Sequence, residues 1–158
     1  MARRARNASQ EGIVRTTRTF FVTTNSHAGR RLLQSQRNAE LLIDVLRAYV
    51  SARKFQLLDF VIMPDHIHLF ISVQSDMTIE KAMQLIKGRF SFLLKKEHGY
   101  LGEVWQHGFS ETRADNGESQ RRYRDYIEQN PVKAGLCSSP GLYPYCYLFL
   151  AKKKQVRG

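Results

Sequence analysis

Two apolar runs separated by only two residues constrain the fold of this chain more than any other feature. Residues 55–63 and 66–73 are rich in Val, Ile, Leu and Phe, as strands are. Pro64 and Asp65 stand between them, and this pair favours a tight reversal of the backbone. The sequence therefore predicts a β-hairpin, around which the other elements are arranged.

Strand-like and helix-like patterns alternate on either side of this hairpin. A β-branched and aromatic run over residues 19–24 predicts a strand, and the turn formers Asn25 and Ser26 follow it. Apolar residues recur every three or four positions over residues 38–53 and again over residues 78–96, which is the spacing of one helix face. One predicted helix thus precedes the hairpin and a second follows it.

The C-terminal half continues the alternation. Thr78 is placed to cap the second helix, and residues 104–112, which include the only Trp, predict a further strand. A polar helix is predicted over residues 118–129. We expect it to stop near Asn130, because Pro131 disfavours the α conformation in the residue before it.

The order strand, helix, strand, strand, helix, strand, helix predicts an α+β ferredoxin-like sandwich. Its antiparallel sheet carries helices on one face, and a C-terminal helix bearing Tyr126 is added. A chain of 158 residues is long enough for one core. We expect a flexible basic arm over residues 1–18, a catalytic domain over residues 19–136 and an irregular extension over residues 137–158. Many activities share this fold, so individual residues must indicate the function.

An excess of basic residues indicates an anionic partner. Lys and Arg number 25 against 14 Asp and Glu, a formal charge of +11, and nucleic acid is the commonest partner of such proteins. No stretch approaches the ~20 apolar residues of a membrane span, and no secretory signal is evident. We therefore expect a cytoplasmic protein without membrane contact. Cys137 and Cys146 lack the spacing of a zinc site, so reduced thiols are expected.

Two histidines form the first candidate site. His66 and His68 lie two residues apart on the second strand of the predicted hairpin, so both imidazoles project from one face, while Ile67, Leu69 and Ile71 project from the other. Two imidazoles on one face can share a divalent metal, although a complete site needs a third protein group or substrate oxygens. By itself such a pair is more typical of ordinary hydrogen-bonded or surface histidines than of a metal site.

A tyrosine and an amide form the second candidate site. Tyr126 and Asn130 lie four residues apart on the predicted polar helix, and they are therefore neighbours on one helical face. Tyr123 lies on the same helix. At 1.5 Å of rise per residue, Tyr126 is about 6 Å from Asn130 along the axis and Tyr123 about 10.5 Å, which favours Tyr126 as the partner of Asn130.

These motifs, taken together and in this order, resemble the single-tyrosine HUH transposases of the IS200-like family, and within them the REP-associated tyrosine transposases. The resemblance covers roughly residues 20–136. Its most specific segments are residues 63–69 (MPDHIHL), 87–90 (KGRF), 105–109 (WQHGF) and 126–136 (YIEQNPVKAGL).

The resemblance implies which residues act and how. His66 and His68 would hold a divalent metal, Mg²⁺ or Mn²⁺, and Asn130 would complete the metal site. Tyr126 would be the nucleophile that cleaves single-stranded or hairpin DNA. The implied product is a 5′-phosphotyrosine with a free 3′ hydroxyl, which retains the phosphodiester energy for strand transfer. Asp65, next to His66, could accept a hydrogen bond from an imidazole or could serve only the turn.

Further expectations concern DNA contact and assembly. The family includes monomers and homodimers, so both states remain open, and a bacterial protein associated with the nucleoid when bound to DNA is implied. Five basic residues are candidates for a DNA path: Arg89, Arg113, Arg121, Arg122 and Lys133.

The main alternative is a non-catalytic nucleic-acid-binding module on the same fold. It would stack bases on sheet aromatics, for which Phe20, Phe21 and Phe70 are candidates. This alternative predicts an activity that does not depend on divalent ions. Two other classes of protein that use paired histidines fit less well. A barrel of eight strands and helices needs ~250 residues, so this chain is too short, and a jelly roll is disfavoured because it is nearly all strand.

Overall fold

The computed structural model describes residues 16–74 and 76–157. Four strands and three helices follow one another in the predicted order, with one further helix at the C-terminus. The elements are β1 (Arg18–Asn25), a 3₁₀ turn (His27–Gly29), α1 (Gln36–Ser51), β2 (Gln56–Ile62), β3 (His66–Val73), α2 (Ile79–His98), β4 (Ser110–Arg113), α3 (Gly117–Lys133) and α4 (Tyr147–Arg157).

The strands form one antiparallel sheet in the order β2-β3-β1-β4. The predicted hairpin is confirmed: β2 pairs with β3, and the backbone N–H of Met63 donates to the carbonyl of His66 at 2.8 Å across the turn. β1 lies between β3 and β4, so the first helix crosses over the hairpin strand β3. The predicted ferredoxin-like α+β fold is confirmed by this topology.

The two faces of the sheet carry different cores. Helices α1 and α2 pack on one face against alternate strand residues such as Ile67, Leu69 and Ile71. The other face carries a smaller cluster in which Phe70 of β3 packs with Ile127 of α3 and with residues of the C-terminal segment. The sheet therefore separates a large helical core from the face on which α3 lies.

Local signals set the helix ends. The hydroxyl of Thr78 accepts a hydrogen bond from the backbone N–H of Lys81 at 3.0 Å, which confirms the predicted cap of α2. Asn116 caps α3 in a reciprocal arrangement with Ser119. These caps fix where α2 and α3 begin.

The prediction that the last polar helix stops near Asn130 is wrong. α3 continues to Lys133 with Pro131 inside it, and the buried Pro131 lies in its final turns. The helix ends just before Gly135, whose φ of 76° is left-handed. There the N–H of Leu136 donates to the carbonyl of Pro131, and that of Gly135 donates to Val132. These two bonds are the helix-ending pattern that a left-handed glycine permits.

Two further predictions need correction. The strand expected over residues 104–112 is reduced to Ser110–Arg113. Trp105 makes only an isolated bridge to Ser26, and residues 106–109 form a loop before the strand. The extension expected to be irregular over residues 137–158 contains α4.

The C-terminal extension is anchored to the sheet. The hydroxyl of the buried Tyr143 donates to the carbonyl of Ile62 at 2.7 Å, and the N–H of Ile62 donates to the carbonyl of Tyr145 at 2.9 Å. The extension therefore adds to the edge of β2. Residues 1–15 of the expected basic arm lie outside the described residues. No helix among the described residues is long and apolar enough to span a membrane.

Candidate active site

His66 and His68 project from the same face of β3, as the alternation predicts. Their ring centroids are 4.8 Å apart, and the intervening Ile67 is fully buried in the core under α1 and α2. His68 is only 4% exposed, whereas His66, at the start of the strand, is partly exposed. The pair thus lies at one end of the sheet with one imidazole buried and one open.

Hydrogen bonds fix the inner nitrogen of each imidazole. Nδ1 of His66 lies 2.7 Å from Oδ1 of Asp65. Because an ionised carboxylate only accepts, the imidazole donates through this nitrogen, and in the neutral form of the ring Nε2 keeps its lone pair. Nδ1 of His68 lies 2.8 Å from the hydroxyl of Thr23. Asp65 therefore does more than form the turn, because it also orients an imidazole.

The outer nitrogen of His68 has no partner among the described residues. Nε2 is buried and makes no hydrogen bond there, although buried polar atoms almost always have one. Burial, and secondarily the neighbouring His66, lower the pKa of His68 to about 4, so its imidazole is neutral at neutral pH. A neutral imidazole with its free nitrogen beside a second histidine is the form that binds a metal ion.

Helix α3 places Tyr126 against this pair. The rings of Tyr126 and His68 are 5.2 Å apart, edge to face at 78°, and Tyr126 is 47% exposed. Tyr123 is one turn away and stacks instead on Phe21, at 4.7 Å and 11°. Of the two tyrosines, Tyr126 is thus the one whose ring contacts a histidine and remains open to solvent.

Phe21 of β1 links the strand residues to the helix residues. Its ring stacks on His68 at 5.4 Å and 18° and meets the edge of Tyr126 at 5.5 Å. Together with its stack on Tyr123, Phe21 contacts every aromatic group of the site except His66. The side chain therefore sets the spacing between β3 and α3.

Asn130 lies on α3 one turn beyond Tyr126 and is partly buried. Among the residues that the structure describes, no cluster of three or more His, Cys, Asp and Glu side chains could hold a metal ion. The assignment of Asn130 as a third ligand stays a prediction.

The five candidate DNA contacts divide between the two faces of the sheet. Arg113 pairs with Phe20, and its guanidinium lies 5.6 Å from that ring, on the side covered by α1 and α2. Arg89 is exposed on α2. On α3, Arg122 and Lys133 lie four residues before and seven after the tyrosine, and these spacings share one helix face. Arg121 is also on α3, but at five residues before Tyr126 it lies on a different face of the helix.

The part that three supporting residues play in this site was not predicted from the sequence. Thr23 binds His68, Phe21 contacts both His68 and Tyr126, and Asn25 lies directly across from His66 in the β1–β3 register. The alternation of β1 places these three side chains on one face, but their partners depend on the register, which one strand does not reveal.

The aromatics proposed to stack bases in a binding module are otherwise engaged. Phe70 is fully buried under α3, Phe20 is 8% exposed, and Phe21 is stacked on both His68 and Tyr123. The sheet of this protein is thus not the open aromatic surface that such modules use.

Comparison with known proteins agrees with this geometry. The family model for IS200-like transposases matches residues 20–130. A solved REP-associated tyrosine transposase bound to a REP hairpin is 27% identical, with a TM-score of 0.65 over 87% of this chain and 81% of that one. A putative transposase from Deinococcus radiodurans, 20% identical, shares the fold with a TM-score of 0.54 over 78% of this chain and 97% of that one. No curated protein matches this chain.

Proposed function

Because the chain belongs to the IS200-like transposase family, we propose that it nicks single-stranded DNA and transfers the cut strand through a covalent bond to Tyr126. One observation carries this proposal. Tyr126 of α3 lies against His68, the histidine whose outer nitrogen is buried without a partner. A nucleophile next to a candidate metal-binding pair suits metal-assisted phosphodiester cleavage through a covalent intermediate.

The donor set fits a divalent metal such as Mg²⁺ or Mn²⁺. His66 and His68 would hold the ion through their outer nitrogens, with Asn130 as a third ligand. The hydrogen bonds of Asp65 and Thr23 to the inner nitrogens are the supporting contacts that metal-binding histidines usually have. When bound, the ion would neutralise charge on the scissile phosphate.

The residues of the chain perform the bond exchange. The phenolic oxygen of Tyr126 gives up its proton and forms a bond to the phosphorus, while the bond from phosphorus to the 3′ oxygen breaks. That oxygen takes up one proton and leaves as a 3′ hydroxyl, so the step consumes and releases no net proton. The 5′ phosphate stays on Tyr126. A 3′ hydroxyl of another strand can then attack the phosphotyrosine and release the enzyme. No external energy source is needed, because each step exchanges one phosphoester for another.

Hairpin DNA is the proposed substrate. The related transposase was solved with a REP hairpin, and the +11 charge of this chain favours nucleic acid. Arg122 and Lys133, on the same face of α3 as Tyr126, would contact phosphates near the cut. Arg89 and Arg113, on the other side of the sheet, could contact only a more distant part of the DNA.

Adduct formation tests the proposal. Labelled single-stranded hairpins with randomised flanks are incubated with the full chain and Mg²⁺ or Mn²⁺, and covalent adducts are separated on a denaturing gel. We expect an adduct with the wild-type protein that is lost when the metal is chelated and in His66→Ala and His68→Ala. His98→Ala, which alters a histidine in the last turn of α2, is the matched control and should retain the adduct.

Two results would contradict the proposal. An adduct of undiminished yield in His68→Ala would show that the histidine pair plays no part in cleavage. DNA binding without any adduct, unaffected by chelation, would instead support the non-catalytic binding module.

A further inference from the structure

A polar crevice borders the candidate active site on the side of β4. It lies between residues 23–25, at the end of β1, and residues 106–110, which lead into β4, and its volume is about 290 Å³. This volume is at the small end of ligand pockets in general. A space of this size accommodates a single flat ring system.

The register of the sheet places this crevice next to the histidines. Asn25 lies directly opposite His66, and Thr23 lies directly opposite His68. Side chains directly opposite in an antiparallel pair have Cβ atoms about 4.5–5.5 Å apart. One wall of the crevice is therefore the immediate neighbour of the proposed metal ligands, within the reach of one nucleotide.

The opposite wall is a loop whose backbone is held rigidly. The N–H of Gln106 donates to the carbonyl of Asn25 at 2.9 Å, and the hydroxyl of Thr24 donates to the carbonyl of Gly108 at 3.3 Å. The ammonium of Lys87 donates to the carbonyls of both Gln106 and Gly108, at 3.1 and 2.7 Å. These bonds fix the loop before any ligand arrives, which is how recognition elements keep their geometry.

The side chains of this loop are not used in holding it. Asn25, Gln106 and His107 are all exposed, while the bonds that fasten the loop come from backbone groups, Thr24 and Lys87. Two amides and an imidazole can thus face a ligand. Neutral amides can read the edges of bases, and the ammonium of Lys87, which holds the loop, already donates to two carbonyls.

We propose that this crevice binds one unstacked DNA base next to the scissile phosphate and selects it through the amides of Asn25 and Gln106. This inference rests on the proposed function, because it assumes that the cut phosphate lies at His66 and His68. One Asn or Gln amide pairs with the N6 and N7 atoms of adenine through two hydrogen bonds, and the Watson–Crick edge of an unstacked adenine offers a donor and an acceptor to the other amide. Adenine is therefore the preferred base, and His107 can stack on it.

The test is base preference measured in two ways. The full chain is given a pool of single-stranded DNA hairpins with randomised flanks. Covalent adducts are isolated under denaturing conditions, and their DNA is sequenced on both sides of the cut. In parallel, pool molecules bound without cleavage by Tyr126→Phe protein are sequenced, which reports base preference independently of the chemistry.

The variants probe each amide. Gln106→Ala and Asn25→Ala should each reduce the preference for adenine at the flanking position about tenfold, because a lost pair of hydrogen bonds to a base costs about one factor of ten or more. Gln106→Glu keeps an acceptor but loses the donor, so its preference should move towards cytosine, which offers an amino group. Gln56→Ala, an exposed glutamine on β2 at the far edge of the sheet, should leave the preference unchanged.

The outcomes separate the crevice from the chemistry. Adducts of unchanged base preference in Gln106→Ala and Asn25→Ala would overturn the crevice proposal and leave the cleavage proposal intact. If the wild type forms no adduct, yet the pool bound by Tyr126→Phe protein loses its adenine preference on adding Gln106→Ala, the crevice proposal stands and the cleavage proposal fails.

Discussion

Strand β3 and helix α3 carry the two halves of the candidate active site, and they are held in the molecule in different ways. Every residue of β3 after His66 is buried, because helices cover one face of the strand and α3 lies on the other. Only Ile127 and Pro131 are buried among the 17 residues of α3. The histidines are therefore positioned by the whole core, while the tyrosine is positioned by a few contacts.

This difference has consequences for stability and for chemistry. A change in β3 disturbs the packing of the entire domain, whereas a change in α3 should release one helix and its tyrosine. Phe21 is the main side chain that joins the two, since it stacks between His68 and Tyr123. The predictions below test this contrast.

The largest effect on stability is expected from truncating a buried side chain of β3 or of α3. Leu69→Ala should lower the free energy of unfolding by about 2–5 kcal/mol, as buried Leu-to-Ala changes do, because Leu69 is fully buried under α1 and α2. Ile127→Ala should open α3 before the sheet unfolds. Urea unfolding combined with amide hydrogen exchange distinguishes the two variants. Simultaneous loss of protection throughout the domain in Ile127→Ala would contradict the proposed difference between β3 and α3.

A buried carboxyl beneath α3 makes stability depend on pH. Burial, with a smaller contribution from Glu128, raises the pKa of Asp59 from 3.8 to about 7. Since the unfolded chain ionises near 3.8 and the folded chain near 7, the folded state binds the extra proton, and its stability falls as pH rises between these values. Above a pH of about 7, the pKa of Asp59 in the folded state, this loss of stability is complete.

Replacing this carboxyl should remove the pH dependence. Asp59→Asn keeps an oxygen that can accept from the N–H of Phe60 and abolishes the charge. We therefore expect it to stabilise the protein by roughly 2 kcal/mol at pH 8. This gain is smaller than the full pKa shift implies, because the new amide N–H groups lack partners. Little gain is expected near pH 4. Thermal unfolding across this range measures the effect, and an equal gain at every pH would be inconsistent with the buried charge.

The aromatic link between strand and helix should matter for activity more than for folding. Phe21→Leu removes the stacks on His68 and Tyr123, so adduct formation should slow by about tenfold, a typical effect of slight misplacement at a reacting group. Phe92→Leu, which alters an exposed phenylalanine on α2, is the matched control. Equal rates of adduct formation in the two variants would show that Phe21 does not position the reacting groups.

The smallest effects concern single phosphate contacts. Arg122→Gln and Lys133→Gln, on the tyrosine-bearing face of α3, should each reduce the log–log salt dependence of binding to a short unpaired strand by about 0.7, the value for one phosphate of single-stranded DNA. Arg89→Gln and Arg113→Gln, on the helix-covered side, should leave that slope unchanged. A larger change in the second pair would place the strand on the opposite face.

Local patterns predicted the elements that local chemistry determines. The alternation of residues 66–73 correctly placed both histidines on one face, and the hairpin and the cap at Thr78 followed from nearby residues alone. The REP-associated transposase resemblance agreed with the family match. Where structure depended on tertiary packing, the sequence was less informative.

Three particular failures show why. Pro131 lies inside α3 because its buried ring packs in the final turn and Gly135 supplies the termination, so the local preference against helix was overridden. Helix α4 follows residues whose attachment to β2, through Tyr143 and Tyr145, is a tertiary contact. The partnership of Thr23 with His68 depends on strand register, which no pattern within β1 encodes.

The identity of the DNA-linked residue tests the central claim most directly. The wild-type adduct is digested with protease, and the peptide that carries the nucleotide is identified by mass spectrometry, with Tyr126→Phe and Tyr123→Phe as paired variants. We predict that the DNA is attached to Tyr126, that Tyr126→Phe forms no adduct, and that Tyr123→Phe still forms one, because only Tyr126 has its ring against His68 while staying open to solvent. Attachment to Tyr123, with an adduct retained in Tyr126→Phe, would contradict the account.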